Sequence, residues 1–223
     1  MRYVILDTET TGLAPKDGHR IIEIGCVEMV DRRIQENDYH QYINPDREID
    51  TGALAVHGIS SQFLRDKPRF SDVVDAFIDY VKGSTLIIHN APFDVGFINH
   101  ELNLLSGRDD KITDYCEVID TLAMARDMHP GQRNSLDALC KRYGVDNAHR
   151  ELHGALLDSE ILARVYLAMT GGQANLFATS NRARQSTNQA QHAVLERPEK
   201  LTVLMADEAE QAAHDAYLRD VLG

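Results

Sequence analysis

YVILDTET at residues 3–10 and IIEIGCVEMV at residues 21–30 decide how this chain folds. The first is a short apolar run, residues 3–6, that ends at Asp7. The second mostly alternates apolar and polar residues, which predicts a strand with one buried face. DYHQYI at 38–43 reads as a third strand, so the chain opens with a meander of about three strands. Helical spacing follows. Ser71 can cap a helix carrying Val73, Val74, Phe77, Ile78 and Val81, which Gly83 stops. TLII at 85–88 is a short buried strand, and Pro92 suits the first turn of a helix carrying Phe93, Phe97, Ile98, Leu102 and Leu105. EVI at 117–119 adds a strand, Ser135 caps a helix ending at Gly144, and Leu157, Ile161, Leu162, Val165, Tyr166 and Met169 form a last apolar stripe. Strands first, then alternating helix and strand, predict an α/β domain with a mixed central sheet flanked by helices.

That domain is expected to span residues 1–170, its final helix ending at Gly171-Gly172. Residues 171–198 are rich in Gln, Asn, Ser, Thr, Ala and Arg, the composition of a flexible linker. In residues 199–223, LTVLM at 201–205 reads as a strand. Asp207 with Glu210 resembles a capping box for a final helix. So short a tail buries little by itself and is expected to dock on a partner.

No apolar run approaches the roughly 20 residues needed to span a bilayer. MRYVILDTE is expected to be a first strand and not a signal peptide. Cys26, Cys116 and Cys140 form no CxxC pair, and a cytoplasmic setting fits them better than a disulfide framework. The net charge of −12 argues against a protein that grips nucleic acid by bulk electrostatics. Either nucleic acid is not the ligand, or some carboxylates hold cations and a partner supplies the grip.

Three segments carry candidate chemistry, each with a plainer reading beside it. Asp7 and Glu9 are two apart on a strand, so they share a face and repel unless a cation lies between them; a polar strand end reads equally well. Asp94, in HNAPFD at 89–94, opens a helix where α/β sheets place ligands, yet an acid there also complements the helix dipole. His153 and Asp158, in HGALLDSEIL, are five apart and on a helix would be turned by about 500°, so His153 is expected in the loop before it. Asp158 sits on the buried stripe, where a lone carboxylate is costly. Together, four carboxylates and a histidine fit a two-metal phosphodiester site, with His153 suited to be the general base. His19, His40, His100, His129 and His149 form no ligand-spaced cluster and read as surface or structural.

DTETTGL at 7–13, HNAPFD at 89–94 and HGALLD at 153–158 resemble, in order and spacing, the three motifs of the DEDDh 3′–5′ exonuclease family. The resemblance implies a ribonuclease H-like fold and hydrolysis of a DNA strand's 3′-terminal nucleotide as a nucleoside 5′-monophosphate. It makes Asp7, Glu9, Asp94 and Asp158 ligands of two Mg²⁺ or Mn²⁺ ions, with His153 as base. AVHGI at 55–59 resembles the family's nucleotide-contacting segment. The implied substrate contacts are Asp7, Glu9, Thr10, Leu13, His57, Asn90, Phe93 and Asp158. One position departs from the pattern: Gly52 stands where an acid is usual.

The tail resembles that of the family's bacterial DNA polymerase III proofreading subunits. Gln173, Leu176 and Phe177 resemble a motif for the beta sliding clamp, although a hydrophobic patch packing back on the domain also fits. Residues 199–223 resemble the segment that docks on the polymerase alpha subunit, and a small third core subunit is a further implied partner. Tethering would let an acidic nuclease act without a strong grip on DNA. Two alternatives remain from the residues alone: an RNA-processing exonuclease of the same class, and a noncatalytic scaffold of a polymerase assembly.

Overall fold

A computed structural model describes residues 1–186 apart from Ser106, His149 and Glu151, with side chains described as far as Gly171. The first compact unit is Met1–Phe177. The expected docking segment 199–223 and its internal strand and helix lie outside the described residues.

The strands are β1 (Arg2–Thr10), β2 (Ile21–Val30), β3 (Arg33–Ile34), β4 (Tyr39–Tyr42), β5 (Thr85–Ile88) and β6 (Glu117–Asp120). They form one sheet in the order β3-β2-β1-β5-β6, with β4 also paired to β2. β1 is antiparallel to β2 and parallel to β5, and β5 is parallel to β6, so the sheet is mixed. The helices are α1 (Thr51–His57), α2 (Ser61–Leu64), α3 (Phe70–Val81), α4 (Ala91–Leu104), α5 (Thr121–Met128), α6 (Leu136–Tyr143) and α7 (Ala155–Ser186).

Alternation along β1 distributes the core. Val4 and Leu6 pack with Phe77 of α3 and Phe97 of α4 on one face. Ile5, on the other face, packs with Val27, Ile87, Leu162 and Tyr166, so α7 covers that side. A smaller cluster of Ala125, Leu139, Cys140, Ile161 and Val165 ties α5 and α6 to α7. All three cysteines are buried and free. Among the described residues no helix is long and apolar enough to cross a membrane.

Asp7 and Glu9 lie on one strand as expected: the pairing of β1 with β2 includes both, and a register shift falls between Glu9 and Thr10. Two expectations are corrected. Ser71 is not the cap of α3. That helix begins a residue earlier at Phe70, a buried core residue, and the Asp72 carboxylate accepts from the Arg69 N–H at 2.9 Å. The last helix does not stop at Gly171-Gly172, because its backbone continues to Ser186. A glycine inside a helix costs only about 1 kcal/mol, and Gly171 does not take the left-handed conformation that would terminate it. By contrast Gly144 does, at φ 67°, and ends α6 as expected, with Ser135 capping its start by accepting from the Ala138 N–H at 3.4 Å.

Candidate active site

β1 outruns its parallel neighbour. Its pairing with β5 ends at Ile5–Ile87, so Asp7 and Glu9 lie beyond the last rung on that side. The chain leaving β5 turns there into α4. Asn90 makes this turn with φ 72°, a left-handed conformation that asparagine tolerates better than most residues. Its N–H is held by Asp120 at 3.1 Å. The turn places Asp94 in the first turn of α4, 2% exposed, where the Thr8 hydroxyl donates to its Oδ1 at 2.7 Å.

The third contribution comes from α7. Asp7 and Glu9 share the sheet face with Ile5, the face that α7 covers. Asp158, in the first turn of α7, is 3% exposed and points back to that pair. His153 stands in the loop just before α7, with its N–H donating to the Val56 carbonyl at 3.1 Å. Ligand atoms of Glu9, His153 and Asp158 lie within 4.8 Å of one another. Asp7, Glu9, Asp94, His153 and Asp158 all line one cleft of about 600 Å³. The sequence-predicted quintet is therefore brought together.

So many carboxylates in so little water disfavour their own charge. Burial, and then the charge of Asp158, pushes Glu9 up to about 8. Burial raises Asp94 to about 7 against the lowering effect of the Thr8 hydrogen bond. Asp7 is raised well above its usual range by burial and then by Asp94, Glu9 and Asp158. Oxygen-rich donors that are costly to ionise alone suit a hard divalent cation, which would stabilise the ionised form.

Arg150 is a residue of the site that sequence reasoning missed. Its Nε and one terminal nitrogen bind both oxygens of Asp158, the second at 2.6 Å. The same guanidinium reaches Asp137 of α6 at 2.8 Å and His153 Nδ1 at 3.0 Å. It lies three residues before His153 in a polar stretch, and nothing local distinguishes it from a solvated arginine. Glu23 was missed for the same reason, being one polar position in an alternating strand.

A second cleft, about 760 Å³, adjoins the first and shares Thr8, Glu9 and Phe93 with it. Thr10, Leu13 and His57 line it, with Gly52 and Val56. Leu13 is 86% exposed, a large apolar side chain left in water at the cleft's edge. His57 Nδ1 accepts from the Ile59 N–H at 2.9 Å, so in the neutral ring the hydrogen is on Nε2. Among the described residues that buried Nε2 has no hydrogen-bond partner. Asn90 lines neither cleft; its position in the turn is accounted for by backbone conformation. Gln173, Leu176 and Phe177 fall on the α7 backbone, but their side chains lie outside the described residues.

Residues 4–166 match the exonuclease family RNase_T. The DNA polymerase III subunit epsilon of Escherichia coli (strain K12) is 51% identical over 223 residues, covering 97% of this chain and 92% of that protein. The subunit of the same name from Rickettsia felis is 46% identical, covering 100% of this chain and 97% of that one. Among solved structures, exonuclease X in complex with 5′ overhanging duplex DNA is 30% identical with a TM-score of 0.59, covering 76% of this chain and 92% of that chain. The nuclease domain of 3′hExo, a DEDDh family member bound to rAMP, aligns with a TM-score of 0.66 over 77% of this chain and 92% of that chain. At 21% identity it speaks for the fold alone.

Proposed function

This chain belongs to the exonuclease family, in the branch of the DNA polymerase III epsilon subunits, and from that premise we propose how its residues divide the work of proofreading. It is a metal-dependent 3′–5′ DNA exonuclease. The observation that carries the site assignment is the convergence of Asp7, Glu9, Asp94 and Asp158 from three elements into one cleft, with Arg150 bound to Asp158. Asp7, Glu9, Asp94 and Asp158 would hold two divalent ions, Mg²⁺ or Mn²⁺, which supply an activated water and stabilise the leaving oxygen.

His153 is the general base. For its Nε2 to take a proton from water, Nδ1 must carry the other hydrogen and donate it to Asp158, now 3.5 Å away. Arg150, which donates to that same Nδ1, must then release the ring. The terminal nucleotide occupies the second cleft. Leu13 offers its base an apolar surface, Phe93 walls the passage between the clefts, and His57 Nε2 and the backbone at Thr10 supply polar contacts. Gly52 leaves that cleft without a carboxylate at its position.

The tail would attach the enzyme to its partners: Gln173, Leu176 and Phe177 to the beta sliding clamp, and residues 199–223 to the polymerase alpha subunit. Weak intrinsic affinity for DNA, expected from the net charge of −12, would restrict attack to frayed 3′ ends.

The test is digestion of a 5′-labelled single-stranded DNA beside a matching RNA, with Mg²⁺ and with EDTA. Stepwise shortening of the DNA from its 3′ end, lost in EDTA and slower on RNA, is expected. Equal attack on RNA, or persistence in EDTA, overturns the reading. For the tail, the full-length Leu176→Ala/Phe177→Ala variant should lose clamp binding while digesting free single strands normally.

A further inference from the structure

We propose that Glu23 is a positioning residue of this active site: it sets where α7 meets the sheet, and so how Asp158 and His153 stand against Asp7 and Glu9. The inference rests on the reading of that cluster as the exonuclease centre. Glu23 is 2% exposed and lies on β2 directly opposite Glu9. Like charges facing each other across a strand pair are destabilising, so a buried acid here calls for a physical reason.

Its contacts give one. Glu23 Oε2 accepts from the Ala155 N–H at 3.2 Å. That N–H belongs to the first turn of α7, where backbone donors have no partner within the helix. Gly154, just before the helix, has no side chain to cap it, so the cap comes from the sheet. Two residues along β2, Gly25 lets the helix sit down: a Cβ there would meet the Ala155 carbonyl carbon and the Leu156 nitrogen at 2.2 Å. The Gly25 carbonyl also accepts from the Ser159 hydroxyl at 2.9 Å.

Ala155 and Ser159 are thus both fastened to Glu23–Gly25, and Asp158 lies between them. On the far side, His40 Nε2 lies 2.7 Å from Glu23 Oε1. His40 pairs with Gly25 across β2–β4, so the Glu23 carboxylate is held from β4 as well as by α7. Glu23 touches neither cleft, so it acts through the seat of the helix. The competing account is that it acts through charge, as one more negative group beside Glu9.

Two conservative variants of the full-length protein separate these. Glu23→Gln keeps the reach to Ala155 and removes the charge. Glu23→Asp keeps the charge and is one methylene too short to span His40 and Ala155. The expected result is that Glu23→Asp lowers kcat on labelled single-stranded DNA about 10- to 100-fold and weakens Mn²⁺ binding by calorimetry, while Glu23→Gln stays within about 3-fold of the parent. KM should be unchanged in both, because the second cleft is lined by β1, the loop after it, α1 with the residues before it, and Phe93 of α4, and Glu23 is not among them. The reverse order of activities would mean that charge is what matters and would overturn the proposal. So would parent-like kcat in both variants, or a rise in KM with kcat unchanged. Asp7→Ala is run in parallel: if it digests DNA normally, the site assignment itself has failed, whatever Glu23 does.

Discussion

Two buried acidic regions of this molecule look alike in sequence and differ in what surrounds them. Glu101, on α4, is 1% exposed. Arg20 grips both its oxygens, at 2.8 and 2.6 Å, and the Ile21 N–H donates to it at 3.1 Å. Charge and hydrogen bonds are balanced within the protein, and the pair fastens the segment before β2 to α4. At the other region, Arg150 is bound to Asp158 and its charge also bears on Asp7 and Glu9, yet Asp7, Glu9 and Asp94 are all pushed toward protonation. An acid that the fold satisfies is structural. A group of acids that the fold leaves short of positive charge is built for a cation from outside.

The largest test of that contrast is Asp7→Ala. Loss of a metal-holding carboxylate should lower turnover by about 10³-fold or more. Melting in EDTA should show no loss of stability, because a buried carboxyl that is costly to ionise has gone. Glu101→Ala should do the opposite. Turnover per folded molecule should survive, while stability falls by about 3 kcal/mol, the lower end of the range for a broken buried pair because Arg20 keeps some contact with water. In a chain of this size that is a drop of several degrees in Tm.

Arg150→Met sharpens the comparison by making the site more deficient. Asp158 loses its partner, so Tm in EDTA should fall, by about 3 kcal/mol in stability terms. Added Mn²⁺ should recover more of Tm than it does in the parent. A Tm that ignores Mn²⁺ would show that Arg150 and the metal do not compete for Asp158.

The pH dependence follows from the sign of the shifts. Glu9 and Asp94 have folded values near 8 and 7, above those of an unfolded carboxyl. The folded state therefore holds their protons more tightly, and this stabilisation is complete below about pH 4, the unfolded range. It is lost as pH rises through 7 and 8. In EDTA, Tm should decline across that interval, and Mg²⁺ should flatten or reverse the decline because it binds the ionised form. A Tm in EDTA that rises over pH 5–8 would contradict the assignment. The smallest effect is expected at Leu13, which the fold does not need. Leu13→Ser should raise KM about 5-fold, consistent with the weak end of base stacking, with kcat and Tm unchanged.

The three motifs were legible together, through their resemblance in order and spacing to an exonuclease family, while each acid taken singly had a plainer reading. Asp7 and Glu9 alternate with core residues, and Asp158 interrupts an apolar stripe. Helix α6 was legible locally, from Ser135 and Gly144. The short helices α1, α2 and α5 were not read, because their apolar residues are too few to show a period. Glu23, Arg150 and Asp137 were invisible because charged residues in alternating strands, polar loops and first turns of helices are ordinary, and only the partners that the fold brings to them make them part of the site.

The sequence by itself determined the order of the longer strands and helices, the mixed sheet and which five residues are the candidates for the site, since these depend on spacing along the chain. Only the tertiary structure decided that β1 runs past β5 to open a cleft, that Asn90 serves the turn, that α7 is seated on Glu23 and Gly25, and that Arg150 lies across Asp158. Each of these is a meeting of segments separated by many residues, where close packing and the balance of buried charge, and not local propensity, select the arrangement.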